Sequence, residues 1–430
     1  MSKKTSQNNS ENFTLHDFIG VAGSTLEERV TPFSETLKEF SENGWTLYSR
    51  EIVSAPGPRV KVKDHLTQTI RSMIMLGSND YLGLSHHPDV ISAVVNTVQS
   101  VGVGMGGPPL LNGMSGLHRK LEGQLAKLKD QEDSLIFSSG FQANLGWTYA
   151  LLRPGDYVIY DELNHASFFD GLATVKASRK IKSYSFLHND SADLKRLLEF
   201  AVKNKTPESQ IFIVVEGVYS MDGDLAPLPE ICDLSDQFQA NLVVDDAHGT
   251  GVIGDKGGGC SDFYGVSRRV QLSLGTFSKS FGVTGGFISG KKAVIDYLRY
   301  FSRSYIFSAH LPQSIVSAVL KGCEIIREKP ELRKALHSNT EHMMLGLKKM
   351  GLKVFSQSAI IPIRIPEHVN LRLFNKDLHE RGLFVNSIEF PAVAANEQRI
   401  RLSLMATHSK QDLDEALSIL EAAGKHARLI

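Results

Sequence analysis

Three things are scarce in this 430-residue sequence: cysteine, net charge and long apolar runs. Cysteine occurs three times, at Cys232, Cys260 and Cys323. An odd number spread so widely excludes a dense disulfide framework and fits a reducing compartment. Lys plus Arg and Asp plus Glu each number 47, so the formal net charge is zero. Nucleic acid and anionic membranes select basic surfaces and are not the expected partners. No apolar run approaches the ~18–20 residues that span a bilayer. The opening MSKKTSQNNSENF is polar and has no apolar segment of the secretory kind. A Walker lysine, Cys/His metal spacing and internal repeats are also missing, so no metal is expected. The expected location is cytoplasmic. Membrane contact at the inner face is at most peripheral, because the N-terminal amphipathic stretch lacks a strongly basic side.

Glycine is plentiful: 36 residues, clustered at 102–116, 249–259 and 282–290. Glycine serves where φ is positive or where backbone approaches a ligand closely, so three clusters suggest a ligand site built from several turns. Residues 1–15 read as disordered, and residues 23–49 as one or two amphipathic helices interrupted at Pro32. RVKVKD and SMIMLGS read as a short hairpin. Between about 115 and 290, HRKLEGQLAKL and SADLKRLLEFAVKN carry the helical period. DSLIFSS, DYVIYD, IKSYSF, IFIVVEG, NLVVDDA and VQLSLGTFS are strand-length and rich in β-branched or aromatic residues. That alternation predicts an α/β fold with a mainly parallel sheet buried on both faces. After about 310, two long helices, the short strands AIIPIRI, LFVNSIEF and RIRLSL, and a helix capped by SKQD (409–412) predict a smaller α+β lobe. The expected organisation is 1–72 (tail, helices, short strand), 73–310 (large domain) and 311–430 (small domain).

Gly102, Gly104 and Gly107 satisfy G-x-G-x-x-G, but the preceding VISAVVNTVQS reads as a helix, whereas a dinucleotide fingerprint follows a strand. His86-His87, beside a proline, reads as surface. Strand ends are more informative, since in a parallel sheet they share one rim and ligands bind beyond them. IFIVVEGVYSMDGD delivers Ser220; NLVVDDAHGTG delivers Asp245, Asp246 and His248; VQLSLGTFSKSFG delivers Thr276, Ser278 and Lys279. DYVIYDELNHAS adds His165, and DSLIFSSGFQAN brings Gly140 and Phe141 to a helix N-terminus, a ready anion site. Singly, each has a bland account: Asp246 reads equally as a helix cap, a turn histidine is usually structural, and a lysine among glycines is usually solvated. Their meeting on one rim is what those accounts leave unexplained.

The segments SNDYLGL (78–84), SSGFQAN (138–144), DELNHAS (161–167), EGVYSMDGD (216–224), VDDAHGTGVIG (244–254), GTFSKSFG (275–282) and RLSLMATH (401–408) resemble, in order and spacing, the α-oxoamine synthases. These are pyridoxal 5'-phosphate (PLP) enzymes of fold type I, and the resemblance covers about residues 45–425. It implies a large domain with a mainly parallel sheet, a smaller C-terminal domain and PLP as cofactor. Lys279 matches the Schiff-base lysine, Asp245 the carboxylate under the pyridine nitrogen, and His165 the imidazole stacked on the ring. Ser220 and His248 match the groups on the phenolic oxygen. Gly140, Phe141 and Thr276 match the phosphate cradle, joined by Ser308 across a homodimer with shared active sites. Asn79 and Arg401 match the substrate pocket. Arg399 shares the strand face of Arg401 by period, and the motif selects Arg401.

The implied activity is decarboxylative condensation of an amino acid with an acyl thioester, giving an α-aminoketone. Among the family's branches, GLFVNSIEFPAVAANEQRIRLSLMATHS, GTFSKS and LLNG (110–113) are similar to the bacterial serine palmitoyltransferase branch. The first expectation is therefore L-serine plus long-chain acyl-CoA to 3-ketosphinganine, in sphingolipid biosynthesis. The alternatives are glycine or alanine branches, as in 8-amino-7-oxononanoate synthase or 2-amino-3-ketobutyrate CoA ligase. Val101 and Pro108-Pro109 stand where family members often carry tyrosine and arginine, which implies a different partner, such as an acyl carrier protein thioester. A fold type I aminotransferase would share Lys279 and Asp245 without the acyl thioester; a non-catalytic subunit would lack Lys279.

Overall fold

The structure, a computed structural model, describes residues 15–45, 48–64, 67–389, 393–394 and 396–430. The polar tail read as disordered lies outside them apart from its last residue. Helix α1 (Leu26–Glu42) precedes β1 (Glu51–Ile52), β2 (Arg59–Lys63) and β3 (Ile70–Met75). Helices α2 (Pro88–Val101) and α3 (Gly116–Lys129) lead to β4 (Asp133–Phe137). Then follow α4 (Gly140–Leu151), β5 (Tyr157–Asp161), α5 (Ala166–Lys176), β6 (Lys182–Phe186), α6 (Ser191–Asn204) and β7 (Ile211–Glu216). Next come α7 (Leu228–Gln237), β8 (Asn241–Asp245), the short α8 (Cys260–Phe263), β9 (Leu272–Thr276) and β10 (Gly286–Gly290). Four helices follow: α9 (Lys292–Phe301), α10 (Arg303–Ile306), α11 (Gln313–Glu328) and α12 (Pro330–Lys349). The chain ends with β11 (Ile360–Arg364), α13 (Leu371–Glu380), β12 (Leu383–Phe384), β13 (Asn386–Ile388), β14 (Arg399–Ser403) and α14 (Lys410–His426).

The central sheet runs β4-β10-β9-β8-β7-β5-β6. The pairings β6/β5, β5/β7, β7/β8 and β8/β9 are parallel. All six residues of β7 are buried, as a strand covered on both faces requires. Trp147 and Phe168 pack with Phe212 of β7 in one apolar cluster, and Phe277 and Phe281 with Phe287 of β10 in another. Burying each such side chain contributes about 1.5–3 kcal/mol.

Four sequence expectations change. Pro32 does not interrupt α1, which starts earlier at a Thr25–Glu28 capping box and runs through the proline. The lost backbone bond frees only the exposed Glu28 carbonyl, which water can satisfy. The glycine cluster at 282–290, read as a turn, contains β10, antiparallel to both β4 and β9. LFVNSIEF splits between two sheets: β12 pairs in parallel with β3, and β13 pairs antiparallel with β14. Glycines 249–259 are not in the wall of the cavity that holds Lys279; Gly249 and Gly259 pack on Asp246, as Gly217 does. A Cβ on Gly217, Gly249 or Gly259 would lie 2.3, 2.1 or 1.6 Å from an Asp246 carboxylate oxygen. Asp246 does not cap a helix that follows its own strand: its carboxylate accepts from Cys260 N, the first residue of α8, and is half of a buried ion pair, 2.7 Å from Lys129 Nζ with neither side chain exposed.

Other expectations stand. Gly102 caps the C-terminus of α2, so the G-x-G-x-x-G follows a helix, and His87 is the N-cap of that helix. Ser409 and Asp412 form the capping box of α14. Among the described residues no helix is long and apolar enough to cross a membrane.

Burial pushes the Asp246 carboxyl up, and the adjacent Lys129 ammonium holds it back down. Lys129→Ala leaves a fully buried carboxylate without its counter-charge. It is expected to lower stability by about 3–5 kcal/mol, read as a drop in the urea midpoint; an unchanged midpoint would refute the pairing.

Candidate active site

The end of β4 and the ends of β5, β7, β8 and β9 meet on one rim. β10, antiparallel between β4 and β9, makes those two run alike. Its first residue, Gly286, backs onto the start of α4: a Cβ there would sit 2.4 Å from Gly140 N. This close approach requires glycine and sets the α4 N-terminus beside Thr276. Ser139 caps α4, its Oγ accepting from Gln142 N at 3.1 Å. The first-turn residues Gly140 and Phe141 lie in the wall of a 240 Å³ cavity with Ser139, His165, Ser167, Glu216, Asp245, Ala247, Thr276, Ser278 and Lys279.

Six of the eleven sequence-predicted site residues therefore share one cavity: Gly140, Phe141, His165, Asp245, Thr276 and Lys279. Four more are joined beside it through hydrogen bonds. Arg401 donates to Ser220 O at 3.2 Å and to Asn79 Oδ1 at 3.3 Å. Asn79 Oδ1 also accepts from Tyr81 Oη, which lies 2.7 Å from His248 Nδ1. Ser220 lines a neighbouring cleft that shares His165. Ser308 stands apart, 3.4 Å from Ser138 Oγ and outside the cavity wall. Arg399 is saturated by Met221 O, Asp222 and Glu397, whereas Arg401 Nε is buried without a partner. Of the two guanidinium groups only that of Arg401 keeps a nitrogen without a partner, while Arg399 lines the cleft that contains Ser220.

Three groups of the site escaped sequence reading. Asn144, one helical turn beyond Gly140, donates to Asp245 Oδ2 at 2.8 Å and to Ser167 Oγ at 2.9 Å. Its signal was the i, i+4 spacing within SSGFQAN. Ser167 lies 2.8 Å from His165 Nδ1, and its backbone N–H donates to the same nitrogen at 3.2 Å. That nitrogen is therefore an acceptor, and the ring proton resides on Nε2. Glu216 ends an otherwise apolar strand, opposite Asp245 in register; the signal was a carboxylate closing IFIVVE.

Electrostatics follow from dryness. Loss of water around Lys279 lowers its amine to about 8, against the opposing charges of Asp245 and Glu216. Burial lowers His165, with Asp245 pulling the other way. His248 is lowered far more, first by burial and then by the charges of Lys279 and Arg401. Both imidazoles are neutral at pH 7.

The donor set fits one kind of group. A carboxylate and an imidazole suit a flat aromatic base, a helix N-terminus with the Thr276 and Ser278 hydroxyls suits a phosphate, and a partly neutral amine suits an electrophilic carbon. Unpartnered Glu216 Oε1 and Arg401 Nε await company. The class so defined is a PLP-dependent transferase.

The comparisons agree. The family described as "Aminotransferase class I and II" matches residues 71–420. The 8-amino-7-oxononanoate synthase 1 of Bacillus subtilis is 38% identical over 92% of this chain and 97% of its own length. The serine palmitoyltransferase of Sphingobacterium spiritivorum is 37% identical over 94% and 98%. A serine palmitoyltransferase variant from S. paucimobilis, solved with bound PLP-myriocin aldimine, superposes with a TM-score of 0.86 at 29% identity, over 94% of this chain and 100% of that one. The chain belongs to the α-oxoamine synthases, PLP enzymes of fold type I.

The loop carrying Ser220 is pinned by His188. Its Nδ1 lies 3.1 Å from Asp161 Oδ1 and its Nε2 2.8 Å from Asp224 Oδ2, an arrangement that only the doubly protonated ring satisfies. Burial alone would lower its pKa; the hydrogen bonds and charges of Asp161 and Asp224 outweigh it and raise the ring to about 10. A raised folded value stabilises fully below the unfolded value of about 6.5 and fades as pH climbs through the folded one. The urea-midpoint advantage of the wild type over His188→Gln is thus expected to be greatest below pH 6.5 and to vanish towards pH 10. A flat difference across that window would contradict the clamp.

Proposed function

We propose that the chain condenses L-serine with a long-chain acyl-CoA, with loss of carbon dioxide, to give 3-ketosphinganine. The observation that carries the reaction type is Arg401 with its spare Nε on the rim that holds Lys279: a guanidinium placed to take an amino-acid carboxylate beside an amine depressed to about 8. The serine branch is supported by the run 382–409 and by the likeness to the S. paucimobilis enzyme. Alanine with a pimeloyl thioester is the second reading, favoured by the B. subtilis relative and by Val101 and Pro108-Pro109, which also leave room for a carrier-protein thioester.

PLP, when bound, supplies an electron sink for a carbanion formed at the amino-acid Cα. Lys279 Nζ would hold the cofactor and, as a free amine, would take the amino-acid α-proton. Asp245, its oxygens fixed by Asn144 Nδ2 and Ala247 N, keeps a proton on the ring nitrogen. His165, a neutral imidazole, would lie against the ring. The Gly140 and Phe141 amides with the Thr276 hydroxyl would hold the phosphate, and His248 and Ser220 would serve the phenolic oxygen. Asn79 orients Arg401. A second copy of the chain completes the site, bringing Ser308 to the neighbouring phosphate. The exposed Val103, Leu111 and Phe307 are the apolar surface it would cover.

A panel of amino acids scored by the change in cofactor absorbance, followed by carbon dioxide and free CoA release with acyl-CoAs of graded length, tests the assignment. Serine is expected to give both signals; a response confined to alanine or glycine overturns the serine branch. Arg401→Gln is expected to raise the amino-acid KM about 10- to 100-fold, the loss of hydrogen bonds to a charged group at about 1.5–3 kcal/mol, while PLP content stays unchanged. An unaltered KM would move the carboxylate site elsewhere.

A further inference from the structure

Glu216 has no part in the chemistry described so far, yet its placement is unusual. It is the last residue of β7, directly across from Asp245 on β8, so both side chains leave the same face of the sheet into the same cavity as Lys279. It is 3% exposed, and its Oε1 has no hydrogen-bond partner. Asp245, by contrast, has donors on both oxygens: Asn144 Nδ2 at 2.8 Å and Ala247 N at 3.2 Å. Two carboxylates side by side in a dry wall, with donors on both oxygens in Asp245 and an oxygen left without one in Glu216, are not equal in their affinity for a proton. Glu216, the less supplied of the two, is the one that holds its proton more tightly.

We propose that Glu216 is a further acid–base residue of this site, exchanging a proton with Lys279 Nζ across the cavity. Burial and then the charge of Asp245 raise the Glu216 carboxyl well above the usual range, while Lys279 and the Ser220 amide pull it down. The same dryness lowers the amine. Acid and amine therefore approach one another in proton affinity, the condition in which transfer between them is cheap in both directions. In the forward step the O–H bond of Glu216 breaks and an N–H bond forms on Nζ, leaving a carboxylate and an ammonium; the reverse step restores a carboxylic acid and a free amine. This rests on the reading that Lys279 takes the substrate α-proton. Glu216 then supplies the proton that Nζ delivers, and the carboxylate so formed takes the next α-proton from the ammonium, which restores the acid and the free amine.

Two measurements test it. The first needs neither cofactor nor substrate: an infrared difference spectrum of apoprotein, wild type minus Glu216→Gln, at neutral pH. A carboxylic-acid C=O band lost in the variant is expected; loss of carboxylate bands alone overturns the proposal. The second is α-hydrogen exchange of a bound amino acid in deuterium oxide, without acyl thioester. Glu216→Gln is expected to slow it by about 10²-fold at unchanged PLP content; unaltered exchange also overturns the proposal. Where Glu216→Gln does not retain PLP, Glu216→Asp takes its place, with slowed exchange supporting the role and unaltered exchange refuting it. If the wild type exchanges no amino-acid α-proton, the proposed reaction fails, and the infrared result still decides the state of Glu216.

Discussion

The register of three neighbouring strands carries the rest of the molecule. β7, β8 and β9 run in parallel, with Glu216 opposite Asp245 and Asp245 opposite Leu274, two residues short of Thr276. Parallel strands must all end on the same edge, so a carboxylate, a second carboxylate and the hydroxyl and lysine that follow β9 reach one place from three separate stretches of the sequence. The antiparallel β10 completes that edge. It turns β4 to run with the others and presses Gly286 against Gly140, seating the α4 N-terminus next to Thr276.

What makes this edge chemically useful is the removal of water. Lys279 has two carboxylates near it and still loses proton affinity, because desolvation outweighs their attraction. Its neighbours respond to the same cause in their own senses: His165 and His248 lose proton affinity and Glu216 gains it. Beneath them, Lys129 and Asp246 form a charge pair with no access to solvent, wrapped by glycines that bring backbone up to the carboxylate. That pair adjoins Asp245 in the chain and fixes the turn that leads to His248.

The loop 217–225 joins the cofactor side to the substrate side. His188 clamps it to β5 through Asp161 and Asp224, Arg401 reaches its Ser220 carbonyl, and Arg399 holds Asp222. Gly223, with φ near +74°, lets the loop turn against Ile360 of the C-terminal sheet. The strand that presents Arg401 is therefore coupled to the loop that presents Ser220 by direct contacts, not by proximity alone.

Much of this was legible in the residues. Each strand of the central sheet except β10 announced itself by a strand-length run rich in β-branched or aromatic residues, and the ends of those runs named Lys279, Asp245, His165, Gly140 and Phe141, all of which line one cavity. GFISG was not legible, because glycine at both ends of a strand reads as a turn until the close packing against Gly140 is seen. Nor was Pro32, whose tolerance depends on an exposed carbonyl, or the purpose of glycines 249–259. The choice between Arg399 and Arg401 is a matter of partners, since period 2 puts both on one face and only the fold saturates the first. By itself the sequence determined which chemical groups stand at the strand ends, since local pattern sets where strands stop. The fold alone decided which of those groups are dry, paired or left without a partner, because desolvation and hydrogen bonding depend on neighbours tens to hundreds of residues away.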